Sequence, residues 1–181
     1  MNIGDYAFGG IVAYIYSDTG ATQQGFVVSE EDIGESFWGT TGFTNSSGLT
    51  IGTGNGNTTN IINNCPYDMC AASLCVNYSG GGYTDWFLPC NDEAMYLVKL
   101  NWLGFGNFLT GDTFYHTSTE IDCNRYGNCY NVDYLEYKLN LSQNINFDVS
   151  TWLPEDEFPE WRCWGATSKN NILKVRAIRY F

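Results

Sequence analysis

Three groups of residues in this chain have the types and spacing to do chemistry: an oxygen-rich run, a set of cysteines, and a late cluster of indoles around one arginine. The run Asp122-x-Asn124-x-Tyr126-Gly127-Asn128, followed by Asp133, sets oxygen ligands at alternate positions with glycine at the turn, as a calcium loop does. Tyr126 spoils the fifth position, and the closing acid is Asp where a bidentate Glu is usual. A solvated Asn/Gly turn is the expectation, with no tight calcium site. Gly52, Gly54 and Gly56 stand before a helical stretch in the manner of a phosphate cradle. They lack the G-x-G-x-x-G spacing and the P-loop lysine, so a turn is expected there.

The seven cysteines are Cys65, Cys70, Cys75, Cys90, Cys123, Cys129 and Cys163. An odd number leaves at least one thiol unpaired, and no spacing is C-x-x-C. With a single histidine in the chain, structural zinc is not expected, nor is any other metal or cofactor. Cys123 and Cys129 flank a short turn and could close a loop under oxidising conditions; buried free thiols acting as small hydrophobes are the alternative. His116 has no Ser or Cys partner in a nucleophile motif and reads as structural. Glu155, Asp156 and Glu157 could supply acid–base pairs, but between Pro154 and Pro159 they read as a solvated loop. The expectation is a chain that is not an enzyme.

The densest recognition chemistry lies after Glu120. Tyr126, Tyr130, Tyr134, Tyr137, Trp152, Trp161, Arg162 and Trp164 fall there in loops and hairpins. Rigid amphipathic rings stack on sugar faces or protein surfaces at low entropic cost. An arginine beside two indoles can stack and donate a fork of hydrogen bonds. Tyr126, Tyr130, Trp152, Trp161, Arg162 and Trp164 are therefore the candidate ligand-binding residues. The competing account is that Trp161 and Trp164 pin this stretch to the core. Asp85 and Trp86 could be a ligand pair, but the stronger reading makes Trp86 a core anchor with Asp85 bonded to local backbone amides.

Charge narrows the partners. A net charge of -12 excludes the basic stripe that nucleic acid requires, and anionic membrane surfaces fall on the same grounds. No Lys or Arg precedes Lys99. Aromatics at 17% argue for a core of substance, while charged residues at only 15% leave the surface to Tyr, Asn and Gly. No apolar run is long enough to cross a bilayer, and the opening Met1–Asp5 has no basic region of a signal peptide. A mature chain, or one carried within a virus particle, is the expectation.

The elements that position these residues read as α+β in one domain over 1–181. Gly10 to Tyr16 is a β-rich apolar run suited to a strand covered on both faces, and it pairs in a hairpin with Gly25 to Ser29. Thr58, Thr59 and Asn60 offer caps for a short helix over Ile61 and Ile62. A second helix is predicted from about Asp68 to Asn77, ending at Gly80–Gly82. A third starts at Asn91, with Asp92 and Glu93 in its first turn, and stops at Gly104. Strands follow at Thr113 to Ser118, Tyr134 to Leu141 and Ile172 to Arg179. In the last, Lys174 and Arg176 alternate with Val175 and Ala177 as in a half-exposed strand.

Several segments taken in order resemble the C-terminal domain family of the Lcl collagen-like adhesins. They are Ile3-Gly4-Asp5 with Gly9 to Ile15; Ile51 to Thr59; Gly81-Gly82-Tyr83-Thr84-Asp85-Trp86-Phe87-Leu88-Pro89 followed by Asn91-Asp92-Glu93; Tyr115 to Glu120; and Val175 to Phe181. They span the chain almost end to end. His116 departs from the aromatic or serine more usual there, and 148–166 looks like an insertion before the final strand. The resemblance implies a C-type-lectin-like fold with an N-terminal hairpin, two to three short helices and a C-terminal antiparallel sheet. It also implies a habit of occurring in adhesins, bacterial surface proteins and phage appendages, with no defined catalytic set.

The functional expectation is a non-catalytic recognition or display module, the receptor- or carbohydrate-binding part of a bacteriophage virion appendage or tail fibre. It would sit as an oligomer on the virion surface, among other virion or surface-appendage proteins, and engage a host surface glycan. The rival expectations are a structural decoration subunit binding only other virion proteins, and a secreted bacterial adhesin domain at the cell surface.

Overall fold

β-Branched and aromatic residues alternate at both ends of the chain, and the two ends build one sheet. The computed structural model describes residues 1–18, 23–65, 69–109, 113–122, 134–140 and 164–181. In it β1 (Tyr6–Ala7), β2 (Gly10–Asp18) and β3 (Gln23–Val28) run antiparallel in succession. The closing strand β9 (Ile178–Tyr180) pairs with β3, setting Phe26 opposite Tyr180 and Val28 opposite Ile178. The hairpin read from the sequence is present, and its interior strand is covered on both faces. Phe26 and Val28 enter one core with Ala94, Leu97 and Val98, while Val27 enters another with Ile61, Ala71, Ala72 and Trp86. A period of two turns one apolar run toward two cores at once.

Helices fill the middle of the chain and cover both faces of that sheet. α1 is Gly54–Asn64, α2 is Ala71–Asn77 and α3 is Asn91–Trp102. α3 starts and stops where the sequence places it. Leu103 is its C-cap, and Gly104 at φ +80° donates its amide to the Asn101 carbonyl. α1 begins earlier than expected, with Thr53 rather than Thr58, Thr59 or Asn60 at the N-cap. Thr58 is buried instead: its hydroxyl reaches back to the Gly54 carbonyl at 2.8 Å and accepts the Leu88 amide at 3.0 Å. α2 is shorter than expected at its start, and the Cys70 amide there donates to the Ser73 hydroxyl at 2.7 Å.

A second sheet runs in the order β4 (Gly34–Ser36), β8 (Leu173–Val175), β5 (Phe114–Asp122), β6 (Tyr134–Asn140), β7 (Trp164–Ser168) among the described residues. β5 and β8 are parallel where they meet, so the expected antiparallel C-terminal sheet is in fact mixed. The expected single strand over Ile172 to Arg179 is also two strands in two sheets. The chain breaks between them at Arg176 and Ala177, and the reason is chemical. Arg176 is only 1% exposed, with Nε 2.5 Å from Asp32 Oδ1 and Nη1 donating to the carbonyls of Ser29 and Glu30. Its guanidinium also lies over the Phe108 ring. A side chain read as a solvent-facing strand position is a buried pin between the sheets.

Candidate functional site

Two buried carboxylates, Glu93 and Glu120, organise the polar interior, and an open groove lies over the first. Glu93 occupies the N3 position of α3, and its Oε2 accepts the amide of Cys90 at 2.8 Å. Its Oε1 accepts the Gly52 amide at 2.9 Å and the Tyr180 hydroxyl. The expected turn is present at Gly52, and its amide meets an anion that is the chain's own. Gly52 holds φ +98°, and a Cβ on Gly54 would fall 2.2 Å from Glu93 Oε2. The N-termini of α1 and α3 both face this carboxylate, a polarity suited to negative charge. Burial, then the hydrogen bond to Glu93, pushes the Tyr180 phenol well above its usual range. Burial pushes the Cys90 thiol up to about 12, with Glu93 adding to the effect.

Above this node lies a groove of about 350 Å³, walled by Tyr16, Ile51, Gly52 and Tyr180. Tyr16 is 51% exposed and Ile51 37% exposed. The apolar run Gly10–Tyr16 thus emerges from the core at its far end. Tyr16 lies 6.1 Å from Tyr14, which packs 4.2 Å from Tyr96. Tyr180 is fixed edge-on to Phe26 and tilted against Phe87 at 5.4 Å. One wall is a locked ring and the other an exposed one. Two smaller depressions lie elsewhere, one by Glu30, Glu31, Asp32 and Tyr78, the other by Glu35, Phe114, Ile172 and Lys174.

The second carboxylate serves the second sheet. Glu120 pairs with Lys169 and accepts from the Thr44 amide at 3.1 Å and the Thr44 hydroxyl at 3.2 Å. Lys169 also donates to the Gly42 carbonyl at 2.8 Å and lies 4.2 Å from the Trp38 ring centre. Both side chains are buried. Nearby, His116 Nε2 lies 2.7 Å from the Ser36 carbonyl, the structural role expected of it.

Of the residues singled out in the sequence, Tyr126, Tyr130, Trp152, Trp161 and Arg162 lie outside the described residues, and so do Cys123, Cys129, Cys163 and the run after Asp122. The insertion over 148–166 lies outside them up to 163. Trp164 opens β7, while Tyr134 and Tyr137 lie in β6. The strand ends that bracket the candidates are well separated. Asp122 pairs with Tyr134 at one end of β6, and Leu139 pairs with Trp164 at the other.

Trp86 is the core anchor expected, 2% exposed, with Nε1 3.2 Å from the Gly80 carbonyl. Asp85 bonds its own backbone amide, and beyond that local bond both its oxygens engage Arg179, at 2.6 and 3.0 Å. That pairing holds its carboxyl below the usual range. Cys70, Cys75 and Cys90 are buried free thiols, and half-buried Cys65 donates its thiol to the Gly39 carbonyl at 3.3 Å. Among the described residues no group of three or more His, Cys, Asp or Glu is placed to hold a metal ion, and no helix is long and apolar enough to cross a membrane. Sequence reading missed Tyr16, Ile51 and Tyr180; the available signal was an aromatic at the end of each of two strands.

In comparisons with known proteins, no family model matches the chain and no curated protein matches it.

Proposed function

We infer that this chain is a non-catalytic recognition and display module with a C-type-lectin-like fold, the receptor- or carbohydrate-binding part of a bacteriophage virion appendage or tail fibre. The observation that carries the reading is the groove over Glu93. It presents an exposed phenol ring and an aliphatic rim, while the charged groups beneath it are tied into backbone amides and the Tyr180 hydroxyl. Such a site holds a ligand by contact rather than by reaction. The scaffold is α+β, which is compatible with the resemblance at that coarse level. Terminal strands and the first helices make a rigid base, and the aromatic-rich stretches after Asp122 and after Asn140 join strands of the second sheet.

The virion setting and oligomeric assembly come from the resemblance to the Lcl C-terminal domain family. The test is attachment of the purified, fluorescently labelled chain to a panel of bacterial cell surfaces, with a parallel assay of its incorporation into particles. Saturable attachment supports the recognition reading. Incorporation with no attachment to any surface would make it a structural decoration subunit. Turnover of a surface polymer would overturn the non-catalytic reading.

A further inference from the structure

We propose that the groove between Tyr16, Ile51 and Tyr180 is a binding site for one uncharged sugar ring, stacked by its apolar face on Tyr16. The proposal rests on the recognition reading and names its ligand class.

Charge excludes one family of occupants. None of the four lining residues is basic, and the carboxylate of Glu93 lies directly beneath. Lys169, Lys174, Arg176 and Arg179 are each committed to a carboxylate elsewhere. A phosphate, sulfate or acidic sugar would enter a negative field with no basic side chain among the described lining residues to receive it. A cationic occupant is disfavoured for a different reason. The Glu93 charge is already spread over the Gly52 and Cys90 amides and the Tyr180 hydroxyl at two helix N-termini, so it needs no further cation.

Shape and surface then narrow the uncharged ligands. The volume of about 350 Å³ is at the small end of ligand pockets, enough for one ring rather than an extended chain. The Gly52 amide is already shared between Glu93 and the Tyr180 hydroxyl, so the groove floor offers contact surface rather than spare donors. An occupant must therefore present an apolar face to the groove and keep its polar edge toward water. A pyranose with its axial hydrogens on one face does both. Tyr16 supplies the platform, beside Tyr14, which itself packs on Tyr96, and Ile51 adds an aliphatic wall.

The experiment is saturation-transfer NMR on the purified chain with methyl glucoside, methyl galactoside, methyl mannoside and N-acetylglucosamine, alongside choline and N-acetylneuraminate. At least one neutral sugar should bind, Tyr16→Ala should weaken it about tenfold, and Tyr16→Trp should retain it. Tyr16 is half in solvent, so both variants should keep the wild-type melting temperature, which is measured first. Binding of a neutral sugar unchanged in Tyr16→Ala overturns the groove and leaves the recognition reading standing. Binding of choline or N-acetylneuraminate in preference, or of no probe at all, also overturns the groove. The attachment assay then decides separately whether the recognition reading falls with it.

Discussion

Glu93 and Glu120 are both fully buried carboxylates, yet the protein compensates them by different means. Glu93 is held by amides at two helix N-termini and a tyrosine hydroxyl, and among the described residues no Lys or Arg pairs with it. Glu120 is held by a lysine arriving from beyond β7, with Thr44 and the Ser46 amide completing its shell. The first arrangement spreads compensation over fixed dipoles already placed by the fold. The second concentrates it in one full charge that is itself desolvated. An ion pair of that kind is costly to break and cheap to replace, because removing one partner strands the other in low dielectric.

The largest effect is therefore expected at Lys169. Lys169→Met should lower unfolding free energy by about 3–5 kcal/mol, read from urea denaturation, because Glu120 is left buried and unpaired. The double variant Lys169→Met with Glu120→Gln, which removes the charge and keeps an acceptor for Thr44 and Ser46, should regain part of that loss. If the double variant is no better than the single one, the lysine acts through its packing on Trp38 rather than through charge.

Glu93→Ala comes next, at about 2 kcal/mol, since it removes a helix cap and takes the acceptor from the Cys90 amide and the Tyr180 hydroxyl. A loss larger than that of Lys169→Met would reverse the comparison and make the helix junction the stronger device.

Asp85 offers a smaller and pH-dependent test. Its folded carboxyl is held below the unfolded value of about 3.9 by Arg179, so its contribution is complete above that value and disappears as pH falls through the folded one. Asp85→Asn should cost less than about 1 kcal/mol at neutral pH, because the carboxylate is largely exposed and screened. The difference from wild type should vanish in strong acid. A difference that persists there would mean the side chain acts by hydrogen bonding alone.

The smallest effect concerns reactivity. Cys75 and Cys90, both raised by burial, should resist iodoacetamide in the folded protein, while half-buried Cys65 is labelled ahead of them. Peptide mapping of the labelled chain reads this directly. Early labelling of Cys90 would show that the helix junction opens in the native state.

Of the first carboxylate site only the helix start was legible, because Cys90 is the one local partner of Glu93, while Gly52 and Tyr180 lie far off in sequence. Asn91-Asp92-Glu93 announces a helix start, and Glu93 sits three residues after Cys90, the spacing at which a side chain reaches back to the cap. The same locality made the hairpin, the span of α3 and the anchoring role of Trp86 readable. The groove was less so. Tyr16 belongs to an apolar run that reads as buried throughout, and only its position at the strand's end brings it to the surface. Nothing in the run itself marks where the covering elements stop.

What the sequence by itself determined is what depends on period and neighbours: an α+β chain, strands with two apolar faces, the bounds of the third helix, and a strongly acidic balance. The tertiary structure alone decided what depends on meetings across the chain. It placed Lys169 on Glu120, Arg176 on Asp32, Arg179 on Asp85, and Tyr180 on Glu93. Each of these pairs joins residues far apart in sequence, and an acid or a base in isolation carries no mark of its partner. Arg176 shows the consequence most plainly. Alternation predicts a solvated side chain, but burial among four oxygen acceptors stabilises it more than water would, and the closing strand divides between two sheets to put it there.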